Sequence, residues 1–127
     1  MERIGLIDLG SNTARLVIFD ILEGGYFVTV DEMREAVRLG DTEPDGSLKA
    51  TRVLQAINSV KTFKKMCAVN KVDNIIAVAT AAVRSARNQR TFLNEMFSAT
   101  GVKFKVVSEE EEAMLVYQCV INSMDIP

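Results

Sequence analysis

Leu6-Ile7-Asp8-Leu9-Gly10-Ser11-Asn12-Thr13-Ala14-Arg15-Leu16-Val17-Ile18-Phe19-Asp20 is the stretch that decides the fold. Two apolar runs flank a bend that holds an acid, a glycine, two hydroxyls and an arginine. The runs predict two strands, Ile4 to Leu9 and Leu16 to Ile21, apolar on both faces and joined by the polar bend. Gly and Asn at such a bend serve as ordinary turn formers. The same residues also suit an anion, because amides in a Gly-containing bend converge on a phosphate oxygen and Ser or Thr hydroxyls add donors.

Downstream of the bend, Gly24-Gly25 makes a second turn, and Tyr26 to Leu39 alternates as a third, longer strand. Glu43-Pro44-Asp45-Gly46 reads as a loop. The period then changes. From Leu48, residues Val53, Ile57, Val60 and Cys67 fall on one face of a helix ending near Asn70, with Lys64 the lone polar exception. Asn74 to Thr80 is a short continuous apolar strand of the kind buried in parallel sheets. A helix follows from Asn88, an expected N-cap, to Gly101, an expected C-terminal stop. Phe104, Val106 and Val107 mark a fifth strand. Ser108 opens a last helix carrying Ala113, Val116, Tyr117, Val120 and Met124 on one face. The resulting order, βββαβαβα, predicts an α/β domain with a mixed five-stranded sheet, the ribonuclease H-like plan.

The 127 residues suit a single domain, and 48% hydrophobic with 25% charged residues is ordinary for a fold with a real core. A net charge of −2 argues against bulk electrostatic binding of nucleic acid or an anionic membrane. The sequence has neither a membrane-spanning apolar run nor a signal-peptide start, so a cytoplasmic location is expected. Cys67 and Cys119 lie in apolar helical patterns without paired spacing, as reduced core thiols would. The chain contains no histidine. Any general base must then be a carboxylate, and any metal a hard ion held by oxygen.

The polar groups gather at the ends of these elements. Asp8 ends the first strand, Thr80 and Arg84 follow the fourth, and Glu109 to Glu112 follow the fifth. Strand ends of this kind line the edge of an α/β sheet where ligands bind. Asp8 is an oxygen ligand of the type magnesium uses, and Arg15 and Arg84 are suited to neutralise phosphate charge. An arginine after a strand is equally a solvated or ion-paired surface group. Ser108-x-x-Glu111 spells a capping box, yet the run of four glutamates supplies several carboxylates, so that a cap and a general base need not exclude each other.

Four segments together resemble the N-terminal domain of the exopolyphosphatase and guanosine pentaphosphate phosphohydrolase (Ppx/GppA) family. Asp8-Leu-Gly-Ser-Asn-Thr-Ala-Arg-Leu16 is similar to its first phosphate loop. Val37-Arg-Leu-Gly40 with Gly46-Ser-Leu48 resembles the segment leading into its first long helix. Ala79-Thr-Ala-Ala-Val-Arg-Ser-Ala-Arg-Asn88 resembles the stretch after its fourth strand, and Val107-Ser-Glu-Glu-Glu-Glu-Ala113 its Ser-Gly-x-Glu-Glu-Ala motif. In this chain Glu109, Met114 and Cys119 stand where glycine, arginine and glycine are common in that family.

The resemblance implies the actin-like ATPase superfamily fold, two ribonuclease H-like domains around a cleft. It also implies magnesium-dependent release of terminal phosphate from inorganic polyphosphate or pppGpp. Glu111 would be the catalytic base, Gly10, Ser11, Asn12, Thr13 and Arg84 would hold phosphate, and Asp8 would position Mg2+. Residues 1–127 would form the N-terminal domain alone. The partners would be the substrate, the family's second domain, which this chain lacks, and a second copy in a homodimer, with no nucleic acid or membrane. Such a fragment is expected to be inactive by itself. The alternatives are a fragment of an actin-like or sugar-kinase-type ATPase and a non-enzymatic phosphate-binding domain.

Overall fold

The computed structural model describes residues 1–114. Cys119 and the helix-face positions Val116, Tyr117, Val120 and Met124 lie outside them. Strands β1 (Glu2–Leu9), β2 (Thr13–Ile21) and β3 (Phe27–Ala36) precede the long helix α1 (Ala50–Val69). Then come β4 (Asn74–Ala79), a short helix α2 (Ala81–Ser85), α3 (Gln89–Thr100) and β5 (Lys105–Val106). Residues 109–114 are helical. The sheet order is β3-β2-β1-β4-β5, with β1, β2 and β3 antiparallel and β4 and β5 parallel to β1. The expected mixed five-stranded, ribonuclease H-like arrangement is therefore present.

The strands hold one face against α1. Ile7, Leu9, Ala14, Leu16 and Ile18 are all buried, in the alternation that a pleated strand imposes. Gly5 lies on the same face by that alternation, and no larger residue fits there. A Cβ there would sit 2.7 Å from the Cys67 sulfur, so the absent side chain sets how closely α1 approaches β1. Phe63 of α1 and Phe92 and Met96 of α3 fill the layer above.

Lys64 has a specific employment on the apolar face of α1. Its Nζ donates to the Thr100 carbonyl at 2.6 Å, satisfying one of the orphan acceptors at the end of α3. Asp20, the buried acid of β2, is held by a two-pronged pair with Arg3 at 2.7 and 3.0 Å. The remaining Arg3 nitrogen bonds the Asn70 carbonyl at 2.8 Å, tying the end of α1 to the sheet.

Three expectations need correction. β3 ends at Ala36 rather than Leu39, because residues 37–40 leave the sheet to bond the Gly10–Thr13 bend while Val37 and Leu39 stay fully buried. Helix α2 was not expected: five residues are too few for a period to register. Asn88 stands at the α3 N-cap position without a capping hydrogen bond, its amide being used elsewhere. Gly101 does terminate α3 in the left-handed conformation, φ 74°. No helix among the described residues is long and apolar enough to cross a membrane.

Candidate active site at the strand ends

The ends of β1, β4 and β5 are fastened into one edge. The Thr80 amide donates to the Leu9 carbonyl at 3.2 Å and the Val107 amide to the Ala79 carbonyl at 2.9 Å. Asp8 is one residue from the end of β1, paired in register with Arg15 of β2 and Val78 of β4.

Next to Asp8 the chain turns through Gly10, Ser11 and Asn12 into Thr13. The Gly10 amide closes the turn on the Thr13 carbonyl at 3.1 Å. Two more carbonyls of the bend are held from outside: Asn12 accepts from Val37 and Arg38 at 2.9 and 3.1 Å, and Ser11 from Gly40 at 2.8 Å. The amides of Ser11 and Asn12 and the side chains of Ser11, Asn12 and Thr13 have no hydrogen-bond partner among the described residues. A bend with anchored acceptors and unused donors has the polarity an anion requires.

Asp8 is electrostatically uncomfortable. Its Oδ1 is buried without a hydrogen-bond partner among the described residues. Burial pushes its carboxyl above the usual carboxylate range, and the facing Glu112 carboxyl pushes it further, with Arg15 pulling part of the way back. Glu112 is the acid that bears on Asp8 most strongly. Arg15 is largely committed to Glu32 at 2.7 Å.

Glu111 and Glu112 have separate surroundings. Glu111 completes the expected capping box: its amide donates to the Ser108 hydroxyl at 3.0 Å, and its carboxylate accepts from the Ser108 amide at 3.2 Å. Its other oxygen is 3.7 Å from Lys105 Nζ. The residue expected to be the base is thus turned to the helix start, while the next residue along meets Asp8. Adjacent positions on a helix point about 100° apart, so a run of four glutamates distributes its carboxylates to different neighbours.

Arg84, on α2, bonds the Val107 carbonyl through Nη1 at 2.8 Å, and its Nη2 is 4.0 Å from Glu109. It belongs to the same edge as β5 and the acid helix, but among the described residues it makes no bond to the bend. Two facing carboxylates, one with a stranded oxygen, suit a hard cation. No three acidic or sulfur side chains converge into a closed cage among the described residues. One or two carboxylates, with water and substrate phosphate completing the shell, is how magnesium is commonly held. The oxygen donors of Asp8 and Glu112 are of the chemical type a hard cation such as Mg2+ takes.

The sequence pattern of the Ppx/GppA phosphatase family matches residues 17–127. Exopolyphosphatase 1 of Mycobacterium tuberculosis is 29% identical over 119 residues, 93% of this chain and 35% of that protein. The guanosine-5'-triphosphate,3'-diphosphate pyrophosphatase of Aeromonas hydrophila is 30% identical over 113 residues, 88% of this chain and 23% of that one. The crystal structure of the Aquifex aeolicus Ppx/GppA family member superposes with a TM-score of 0.90 at 31% identity, covering 98% of this chain and 41% of the other. The chain thus spans about a third of the curated exopolyphosphatase it matches.

Proposed function

The chain belongs to the Ppx/GppA phosphatase family, and from that premise we propose that it is the phosphate-gripping half of a magnesium-dependent hydrolase. The substrate is inorganic polyphosphate or guanosine pentaphosphate, and the reaction releases the terminal phosphate to water. The observation that carries this proposal is Asp8, with one buried oxygen unpartnered among the described residues and Glu112 bearing on its carboxyl, beside a bend with unused amides.

In this scheme the Ser11 and Asn12 amides and the Ser11 and Thr13 hydroxyls bind phosphate oxygens, and the free part of the Arg84 guanidinium balances their charge. Asp8 would hold Mg2+ directly or through water, and the ion would supply charge neutralisation at the phosphate oxygens. Glu112 takes the proton of the water that attacks the terminal phosphorus in line, the bond to the leaving phosphate chain breaking as the new oxygen–phosphorus bond forms. We propose Glu112 rather than Glu111 for this role; what supports the choice is that one carboxylate oxygen of Glu111 is bonded in the capping box while Glu112 bears on Asp8. The family's second domain supplies the opposite wall of the cleft.

The test is phosphate release from polyphosphate and, separately, from guanosine pentaphosphate, by the full-length protein with magnesium and with excess chelator. Magnesium-dependent release from either substrate is expected. No release from either, with a folded protein, would leave a phosphate-binding domain without catalysis.

A further inference from the structure

The Asn88 side chain caps no helix. Its Oδ1 accepts from the Leu48 amide at 2.9 Å, and its Nδ2 donates to the Leu48 carbonyl at 3.2 Å. It grips that one residue as a neighbouring strand would, forty positions away in the chain. Leu48 is the far end of a closed loop: it bridges to Thr42, and within the loop the Glu43 amide bonds the Ser47 carbonyl at 2.8 Å. The near end of the same segment supplies the three amides, of Val37, Arg38 and Gly40, that hold the carbonyls of Ser11 and Asn12.

Residues 37–48 therefore form a strap between Asn88 and the bend. Contact at the bend is close, since a Cβ on Gly40 would lie 3.4 Å from the Ser11 Cβ. Arg38, whose amide donates to the Asn12 carbonyl, has a left-handed backbone, φ 48°, which redirects the chain that follows toward Gly40. A non-glycine residue persists in that conformation only where its surroundings over-determine it. The Asn88 clamp on Leu48 is one such constraint.

We infer that Asn88 is a positioning residue for the phosphate bend, acting through the 37–48 strap on the backbone of Ser11 and Asn12. It touches no substrate. Its contribution is that the bend amides are already in place when phosphate arrives, so the ordering cost is not taken from binding. This inference rests on the proposed phosphate role of the bend.

A merely structural Asn88 would matter only through the stability of α3. Lys64 provides the comparison, because it secures the opposite end of α3 through Thr100 and contacts no part of the strap. In the full-length protein, Asn88→Ala and Lys64→Met should be compared by amide hydrogen exchange and by kinetics on inorganic polyphosphate with magnesium. In Asn88→Ala the Gly40 amide should exchange about tenfold faster, while amides of the β1–β2 ladder keep their protection. KM should rise roughly three- to tenfold, as expected for loosening one or two hydrogen bonds, with kcat within about twofold. Lys64→Met should lower the melting temperature and leave both readouts unchanged.

Should Asn88→Ala fail to fold, Asn88→Asp retains an acceptor for the Leu48 amide, loses the donor, and should move both readouts in the same direction. An unaltered Gly40 amide, or an equal rise in KM in Lys64→Met, overturns the inference. The exchange comparison needs no substrate. Absence of hydrolysis in the wild type would therefore count against the proposed function, and unaltered exchange against the strap.

Discussion

Asp8 and Glu112 face each other at the sheet edge, with the Asp8 Oδ1 buried and unpartnered among the described residues. Folding brings together two acids that water would keep apart, and the cost falls on Asp8. Its raised pKa has a definite sign for stability. The penalty is absent below the ordinary carboxylate range, where the folded and unfolded forms are both protonated, and complete above the raised value.

Asp8→Asn in the full-length protein should therefore melt higher than wild type at neutral pH without magnesium, since the penalty is removed with the charge. Magnesium should raise the melting temperature of the wild type, by binding the folded form alone, and leave Asp8→Asn unmoved. A thermal melt series over magnesium concentration reads both. Equal stabilisation of the variant would place the ion elsewhere.

Acid stability depends on a different pair. The Arg3 hydrogen bonds hold Asp20 below the usual carboxylate range, so its stabilising contribution is present above the ordinary aspartate value, near 4, and is lost as pH falls through the lowered one. Asp20→Asn should melt lower than wild type at neutral pH, and the difference should narrow progressively below about pH 4. A constant difference down to pH 2 would mean that packing around Asp20, rather than its charge, supplies the stability.

Gly5 tests how tightly α1 rests on β1. Gly5→Ala inserts a methyl 2.7 Å from the Cys67 sulfur and should destabilise by about 1–3 kcal/mol in chemical denaturation. Adding Cys67→Ala should recover part of that loss, since the two changes share one space. Strict additivity of the two variants would show that the backbone, not the sulfur, resists the methyl.

The sheet was legible because alternation and continuous apolar runs register strongly over six to nine residues, as in β1, β2 and β4. The bend, Asp8 and the capping box were legible from residue type and spacing. Other features depended on contacts that no local pattern carries. Lys64 looked like a fault in an apolar stripe because Thr100 lies thirty-six residues away. Asn88 looked like a cap because asparagine before a helix ordinarily is one, and Leu48 claims its amide. Glu111 and Glu112 differ only in helical phase, which is fixed by where the capping box starts the turn and not by composition.

Glu112 as the proposed base and Glu111 as the helix cap are separable by substitution. Glutamine can still accept the Ser108 hydrogen bond at position 111, but at neither position can it take a proton from water. The direct measurement is the phosphate release rate of Glu111→Gln and Glu112→Gln in the full-length protein with magnesium, each with its melting temperature. Glu112→Gln should lose about 100- to 10,000-fold in rate without losing its fold, while Glu111→Gln stays within about threefold of wild type. The reverse pattern, full activity in Glu112→Gln and collapse in Glu111→Gln at unchanged melting, would contradict the account and return the base to Glu111.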